Sequence, residues 1–198
     1  MTLKLYSNPQ SRATITRWLL EELEQDYELI NVVYGDGSMR SDEFLSLNPM
    51  GKIPVLVDDD IVITDTVAIA IYLCDRYKDP VDFAPAIDDP QRAEYLRWLV
   101  FQASSIEPAM MQKAIGFEAK REGAGWGTAD LVIETLENRL KKADPFLLGD
   151  RLTGADIILG ASIGWALQFD LFPRSPALVS YTERLTSRPA FARAMAPE

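Results

Sequence analysis

A change in hydrophobic period partway along the chain constrains its fold more than any single motif. Up to residue 78, short runs of β-branched and aromatic residues alternate with helically spaced apolar positions; beyond residue 90 strand signals almost vanish. Between them lies Lys78-Asp79-Pro80-Val81-Asp82-Phe83-Ala84-Pro85-Ala86-Ile87-Asp88-Asp89-Pro90, with three prolines and four aspartates. Proline fixes φ and Phe83 offers an anchor, so this stretch reads as an ordered linker and not a flexible tail. The chain is accordingly read as a mixed region over 1–79, a linker over 80–90 and a second region over 91–198.

In the first region Leu3-Lys4-Leu5-Tyr6 alternates as a short strand does. Ile15, Trp18, Leu19 and Leu23 then recur at helical spacing, predicting a helix over Ser11–Glu24. Tyr27 to Tyr34 reads as a second strand, and Ser41-Asp42-Glu43-Phe44-Leu45 as a short helix stopped before Pro49. Val55-Leu56-Val57 and Ile61-Val62-Ile63 flank the acidic turn Asp58-Asp59-Asp60 and predict a hairpin. Thr66 to Tyr77 is apolar nearly all round, so that helix is expected to be covered on more than one side. The order β-α-β-α-β-β-α describes a small mixed sheet with helices on both faces. In the second region Gln91–Gln102, Ala129–Ala143, Asp156–Gln168 and Pro176–Ser187 fit helices, giving an all-α domain. The fold class expected is α+β followed by all-α.

Composition removes several chemistries. The 198 residues include no His and one Cys, Cys74, so His general-base chemistry, His-ligated zinc or haem, a thiolate zinc site and a CxxC redox pair are excluded, and no metal is expected. Cys74 sits in the apolar helix and reads as a small core residue. The net charge of −10 argues against a nucleic-acid partner. No apolar run approaches the ~18 residues of a membrane span. The opening residues enter a strand directly and lack signal-peptide regions, so a cytoplasmic location is expected.

Three local motifs stand out. In Asn48-Pro49-Met50-Gly51-Lys52-Ile53-Pro54, a proline just before a strand core suits a tight turn with a cis Ile53-Pro54 bond. Such a turn either merely starts the strand or frees the Ile53 backbone to pair with an extended peptide-like ligand. Asp65-Thr66 opens the apolar helix; one of Thr64, Asp65 or Thr66 is expected to cap it, and the same helix start suits a ligand carboxylate while Asp65 suits an ammonium. Leu152-Thr153-Gly154-Ala155-Asp156-Ile157 fits a capping box with Thr153 at N-cap and Asp156 at N3, a structural role.

These signals in this order, with Arg188-Pro189-Ala190-Phe191 near the end, resemble the cytosolic glutathione transferase family over essentially the whole chain. The resemblance implies a thioredoxin-like N-terminal domain, an all-helical C-terminal domain, a homodimer, glutathione as co-substrate and a small hydrophobic electrophile. Ile53 beside Pro54 matches the residue whose backbone pairs with the cysteinyl part of glutathione. Asp65 and Thr66 match the family's acidic-hydroxyl pair, usually Glu-Ser, for the γ-glutamyl group; Asp is one methylene shorter. Lys52 matches a polar position near the tripeptide, or is a solvated lysine. Ser11, five residues after Tyr6, matches the serine of theta- and zeta-like classes that holds the thiolate, or else only caps the helix. Tyr6 aligns with the activating tyrosine of other classes and also reads as a packed strand-end aromatic. Arg12 is either an electrostatic support for the thiolate or a solvated helix residue.

The expected function is therefore a glutathione transferase whose bound thiolate attacks the electrophile. A glutathione-dependent isomerase or disulfide reductase uses the same apparatus. A non-catalytic binding or regulatory protein on this fold is the alternative from another class, and it would show a broken tripeptide site.

Overall fold

A computed structural model describes residues 3–197, which form two compact units. One takes the chain up to Asp82 together with the residues from Pro189; the other is Phe83–Arg188.

The first unit follows the order read from the sequence: β1 (Leu3–Ser7), α1 (Ala13–Glu22), β2 (Tyr27–Asn31), α2 (Asp42–Leu47), β3 (Val55–Asp58), β4 (Ile61–Thr64) and α3 (Thr66–Arg76). The sheet order is β2-β1-β3-β4. β1 and β2 are parallel, as a helical crossover requires, and the other pairs are antiparallel. This is the expected thioredoxin-like arrangement. β2 is shorter than the predicted Tyr27–Tyr34: it stops at Asn31, and Val33 and Tyr34 are exposed, so their β-branched and aromatic character has no neighbouring strand to pack on.

α1 buries Ile15, Trp18, Leu19 and Leu20, and Leu23 just beyond it, as the spacing predicts. The Trp18 indole N–H donates to Glu22 Oε1 at 3.0 Å, so the largest core side chain keeps its polar atom satisfied. On the other side of the sheet α2 is capped by Ser41, which accepts from the Phe44 N–H. Phe44 packs with Val32 and Val55. α3 departs from expectation: it buries Ile69, Ala70, Leu73 and Cys74 while Val67 and Ile71 stay half-buried. Its packing partners within this unit are α1 and, less extensively, β4.

A further helix, α9 (Pro189–Met195), returns to the first unit and lies along α1. Phe191 meets Trp18 edge-to-face at 4.8 Å between ring centroids, and Arg193 pairs with Glu21 at 2.8 Å. Arg17 fixes the following residues by donating to the Ala196 carbonyl at 3.1 Å.

The second unit is helical, as expected: α4 (Arg92–Phe101), α5 (Glu107–Ile115), α6 (Ala129–Leu140), α7 (Gly154–Gln168) and α8 (Pro176–Thr186). The helix predicted to end near Gln102 does not stop there. It widens into a π-helical turn over Gln102–Ile106 and continues as α5. Pro108 explains the widening, because its missing N–H and its ring disrupt the regular ladder one turn back. α7 is the central helix, apolar all round and almost wholly buried. Its predicted capping box is present. The Asp156 carboxylate accepts from the Thr153 N–H and hydroxyl, the Leu147 N–H and the Tyr181 hydroxyl, all within 2.9 Å. Burial pushes this carboxyl up despite those four donors.

Candidate functional site

Sheet register brings the singled-out segments to one place. Tyr6 stands opposite Val55, and Val55 stands opposite Thr64. β1 therefore leaves the sheet, β3 enters it and β4 leaves it at the same end. Ser7–Arg12, Lys52–Pro54 and Asp65–Thr66 all emerge there, each from a neighbouring strand of the sheet.

The turn before β3 is built by Asn48. This buried residue donates from Nδ2 to the Lys52 carbonyl at 2.8 Å and accepts the Met50 N–H on Oδ1 at 3.1 Å. Gly51 has φ of +60°, and a Cβ there would lie 2.8 Å from the Met39 carbonyl oxygen, so both the backbone and the space exclude a side chain. The Ile53-Pro54 bond is cis, as expected. No hydrogen bond among the described residues uses the Ile53 N–H or C=O. Lys52 is exposed and its ammonium has no ion pair among them.

Asp65 does not cap α3. It occupies the N-cap position with φ 68°, ψ 123°, and its side chain makes no capping hydrogen bond. A non-glycine residue in so sparsely populated a region costs about 1–3 kcal/mol. The strain is not offset by a cap. Instead the carboxylate is exposed beside the free amides of the α3 N-terminus, with Thr66 as the first helical residue.

The β1–α1 loop is tied by Asn8, whose Nδ2 donates to the Val32 carbonyl at 2.8 Å and whose Oδ1 accepts the Gln10 N–H at 2.9 Å. Ser11 is buried; its hydroxyl donates to the Asn8 carbonyl at 2.7 Å and accepts the Ala13 N–H at 3.1 Å. One hydroxyl has one proton, so serving a thiolate requires Ser11 to turn away from Asn8. Arg12 takes the N-cap position of α1 and is half-buried. Tyr6 points to the α2 side, edge-to-face with Phe44 at 5.7 Å, and packs on the cluster that also receives Ile53.

Sequence reasoning passed over Asn8 and Asn48 as site-building residues. Both precede proline and bond the backbone two residues on, a turn habit of asparagine that the Asn-Pro pairs signalled. Among the described residues no group of three or more His, Cys, Asp or Glu side chains is placed to hold a metal, and no helix is long and apolar enough to cross a membrane.

Comparison with known proteins finds similarity over nearly the whole chain. Residues 1–75 match the glutathione S-transferase N-terminal domain and residues 111–189 its C-terminal domain. The chain is 28% identical over 207 residues to the disulfide-bond oxidoreductase YfcG of Escherichia coli, spanning 98% of this chain and 94% of that protein. It is 31% identical over 210 residues to glutathione S-transferase Z2 of Arabidopsis thaliana, spanning 98% and 90%. The crystal structure of a glutathione transferase from Methylococcus capsulatus superposes with a TM-score of 0.82 at 30% identity, over 98% and 97% of the two chains.

Proposed function

Because the chain belongs to the glutathione S-transferase family, we propose that it binds glutathione at the end of its sheet and uses the bound thiolate against a small hydrophobic electrophile. The observation that carries this reading is Asp65, a strained, exposed carboxylate with no partner among the described residues, set at a helix start. A γ-glutamyl group supplies both an ammonium for Asp65 and a carboxylate for the Thr66 hydroxyl and the α3 amides. The uncommitted Ile53 N–H and C=O offer the pairing that an extended cysteinyl backbone needs, and Lys52 offers a cation to a carboxylate. Ser11, with Arg12 at the same helix start, activates the sulfur; Tyr6 is the second candidate. The protein works in the cytoplasm, as a homodimer.

Calorimetric titration with reduced glutathione, paired with conjugation of 1-chloro-2,4-dinitrobenzene, tests the reading. Saturable binding and turnover are expected. A chain that neither binds in solution nor is retained on immobilised glutathione overturns it.

A second reading is favoured by the Ser11 proton being held by Asn8, and by the name of the Escherichia coli relative. Here the glutathione thiolate attacks a disulfide sulfur and one thiol leaves. A second glutathione then attacks the mixed disulfide, releasing the other thiol and forming glutathione disulfide. Faster turnover of a small disulfide than of the chloroarene distinguishes this reaction.

A further inference from the structure

The chain contains one Asp-Gly pair, Asp36-Gly37, in the connection between β2 and α2. Val33 through Ser38 are all exposed. Gly35 and Gly37 both have φ of +87°, and a Cβ built on either would meet nothing within 4 Å. Neither glycine packs against a neighbour, so this backbone can shift without disturbing a core.

The Asp36 side chain already faces forward along the chain. Its Oδ1 accepts the Ser38 N–H at 2.8 Å. The ring closed by that bond contains both Asp36 Cγ and the Gly37 nitrogen, so the two are held together in one tight turn. The Gly37 N–H donates to no acceptor among the described residues. With no Cβ beside it, the Gly37 nitrogen is also open to an approaching carbon.

We propose that Asp36-Gly37 is a site of spontaneous isoaspartate formation, and hence a substrate for the S-adenosylmethionine-dependent carboxyl methyltransferases that act on isoaspartyl residues. The Gly37 nitrogen gives its proton to water and attacks Cγ of the protonated Asp36 carboxyl group. The new C–N bond closes a succinimide, and the carboxyl hydroxyl leaves as water. A second water then opens the ring. Attack at Cγ regenerates aspartate. Attack at the main-chain carbonyl carbon of Asp36 breaks its bond to the Gly37 nitrogen, so the chain runs on through Cβ and Cγ and the freed carboxylate becomes the side chain. One water is lost and one regained, and nothing is oxidised or reduced.

Ser38 sets the pace. Its hydroxyl, and then its N–H, hold the Asp36 carboxyl below its ordinary value, so the reactive protonated form is scarce at neutral pH. Formation is therefore slow there and quickens as pH falls towards the carboxyl range.

The product alters a neighbouring turn. Isoaspartate adds one main-chain carbon just before the 3-10 turn Ser38–Arg40, in which the Arg40 N–H donates to the Gly37 carbonyl at 2.9 Å. That turn lies against Gly51, where a Cβ would sit 2.8 Å from the Met39 carbonyl oxygen and 3.2 Å from Arg40 Nη1. Displacing it loosens the support of Gly51 and of the segment that presents Ile53. Isoaspartate at position 36 therefore weakens glutathione binding; this clause rests on the glutathione reading above.

The test incubates the full chain at physiological temperature, at mildly acidic and at neutral pH. Peptide mapping with electron-transfer fragmentation follows the Asp36 peptide, and a protein isoaspartyl methyltransferase reports new carboxylates by methyl uptake from S-adenosylmethionine. An isomer of the Asp36 peptide with unchanged mass should accumulate, faster at the acidic pH, and should carry the methyl uptake. Asp36→Glu, whose longer side chain cannot close a succinimide, should lose both signals. Asp36→Asn closes the same ring with ammonia leaving and should form the isoaspartyl product faster at neutral pH. Absence of isoaspartate at position 36 in the incubated parent, or equal methyl uptake by Asp36→Glu, overturns the site. For the binding clause, the incubated protein is passed over immobilised glutathione. Isoaspartyl chains should be enriched in the unretained fraction, while Asp36→Glu should stay retained; equal isoaspartate content in the two fractions overturns that clause. A fresh chain that is not retained at all removes the glutathione reading and leaves the modification site standing.

Discussion

Asn48 holds the Lys52 carbonyl at 2.8 Å, and this bond fixes the turn from which the Ile53 backbone leaves for the end of the sheet. Because Asn48 is buried, Asn48→Ala strands the Met50 N–H and the Lys52 carbonyl and should cost about 1–3 kcal/mol. Gly51→Ala should cost a similar amount, since it adds a Cβ against the Met39 carbonyl at positive φ. Both should weaken glutathione binding more than a surface change of equal stability cost does. Thermal melts with parallel glutathione titrations check this, and full affinity in a destabilised variant would count against the turn's role.

Ser11 has two separable roles. Its oxygen accepts the Ala13 N–H, so Ser11→Ala should lose about 0.5–2 kcal/mol of stability as a capping loss. If the hydroxyl also steadies the thiolate, the same variant shifts the thiol's apparent pKa in the pH profile of kcat/KM towards that of a free thiol. A stability loss with an unchanged profile and full turnover removes Ser11 from the chemistry and promotes Tyr6.

For Asp65, stability and binding should move in opposite directions. Asp65→Gly removes the strain at φ 68° and should stabilise the protein by roughly 1 kcal/mol while lowering glutathione affinity. Asp65→Asn keeps the strain but loses the charge, so it should lower affinity with little change in melting temperature. A structural role would instead show as destabilisation in both variants.

Asp58 ties the hairpin to the end of α3. One of its oxygens accepts from the Tyr72 and Tyr77 hydroxyls, each at 2.7 Å, and pairs with Arg76 at 2.9 Å. Burial pushes this carboxyl up, but the two tyrosine hydrogen bonds and the Arg76 charge outweigh it and hold it below the usual 3.8. A lowered folded-state value means the ionised group's contribution is full above the unfolded value and is lost as pH falls through the folded one. Asp58→Asn should therefore cost on the order of 2 kcal/mol near neutral pH. The gap to the parent should narrow only at pH below the usual 3.8; urea melts over that range check it.

Features set by neighbouring residues were legible in the sequence. Thr153 and Asp156 announce their capping box at a spacing of three, and Ile53-Pro54 announces its turn. Features set by distant partners were not. Trp18 and Phe191 lie far apart in the chain, and their packing, with the Arg193–Glu21 pair, seats α9 on α1. The helix read over Gln91–Gln102 runs on past Gln102 through a π-helical turn before Pro108, which the apolar spacing alone does not signal. The sequence leaves the cap of α3 among Thr64, Asp65 and Thr66 and does not reveal the φ of Asp65, so the uncapped, strained carboxylate emerged only from the structure.

The central claim is that three segments, brought together by the Tyr6–Val55–Thr64 register, form one glutathione site. An amide-resolved NMR titration with reduced glutathione tests it most directly. The account predicts that the amides of Ser11, Ile53, Asp65 and Thr66 shift together along one saturating curve. Saturable shifts that leave these four amides unmoved would contradict it.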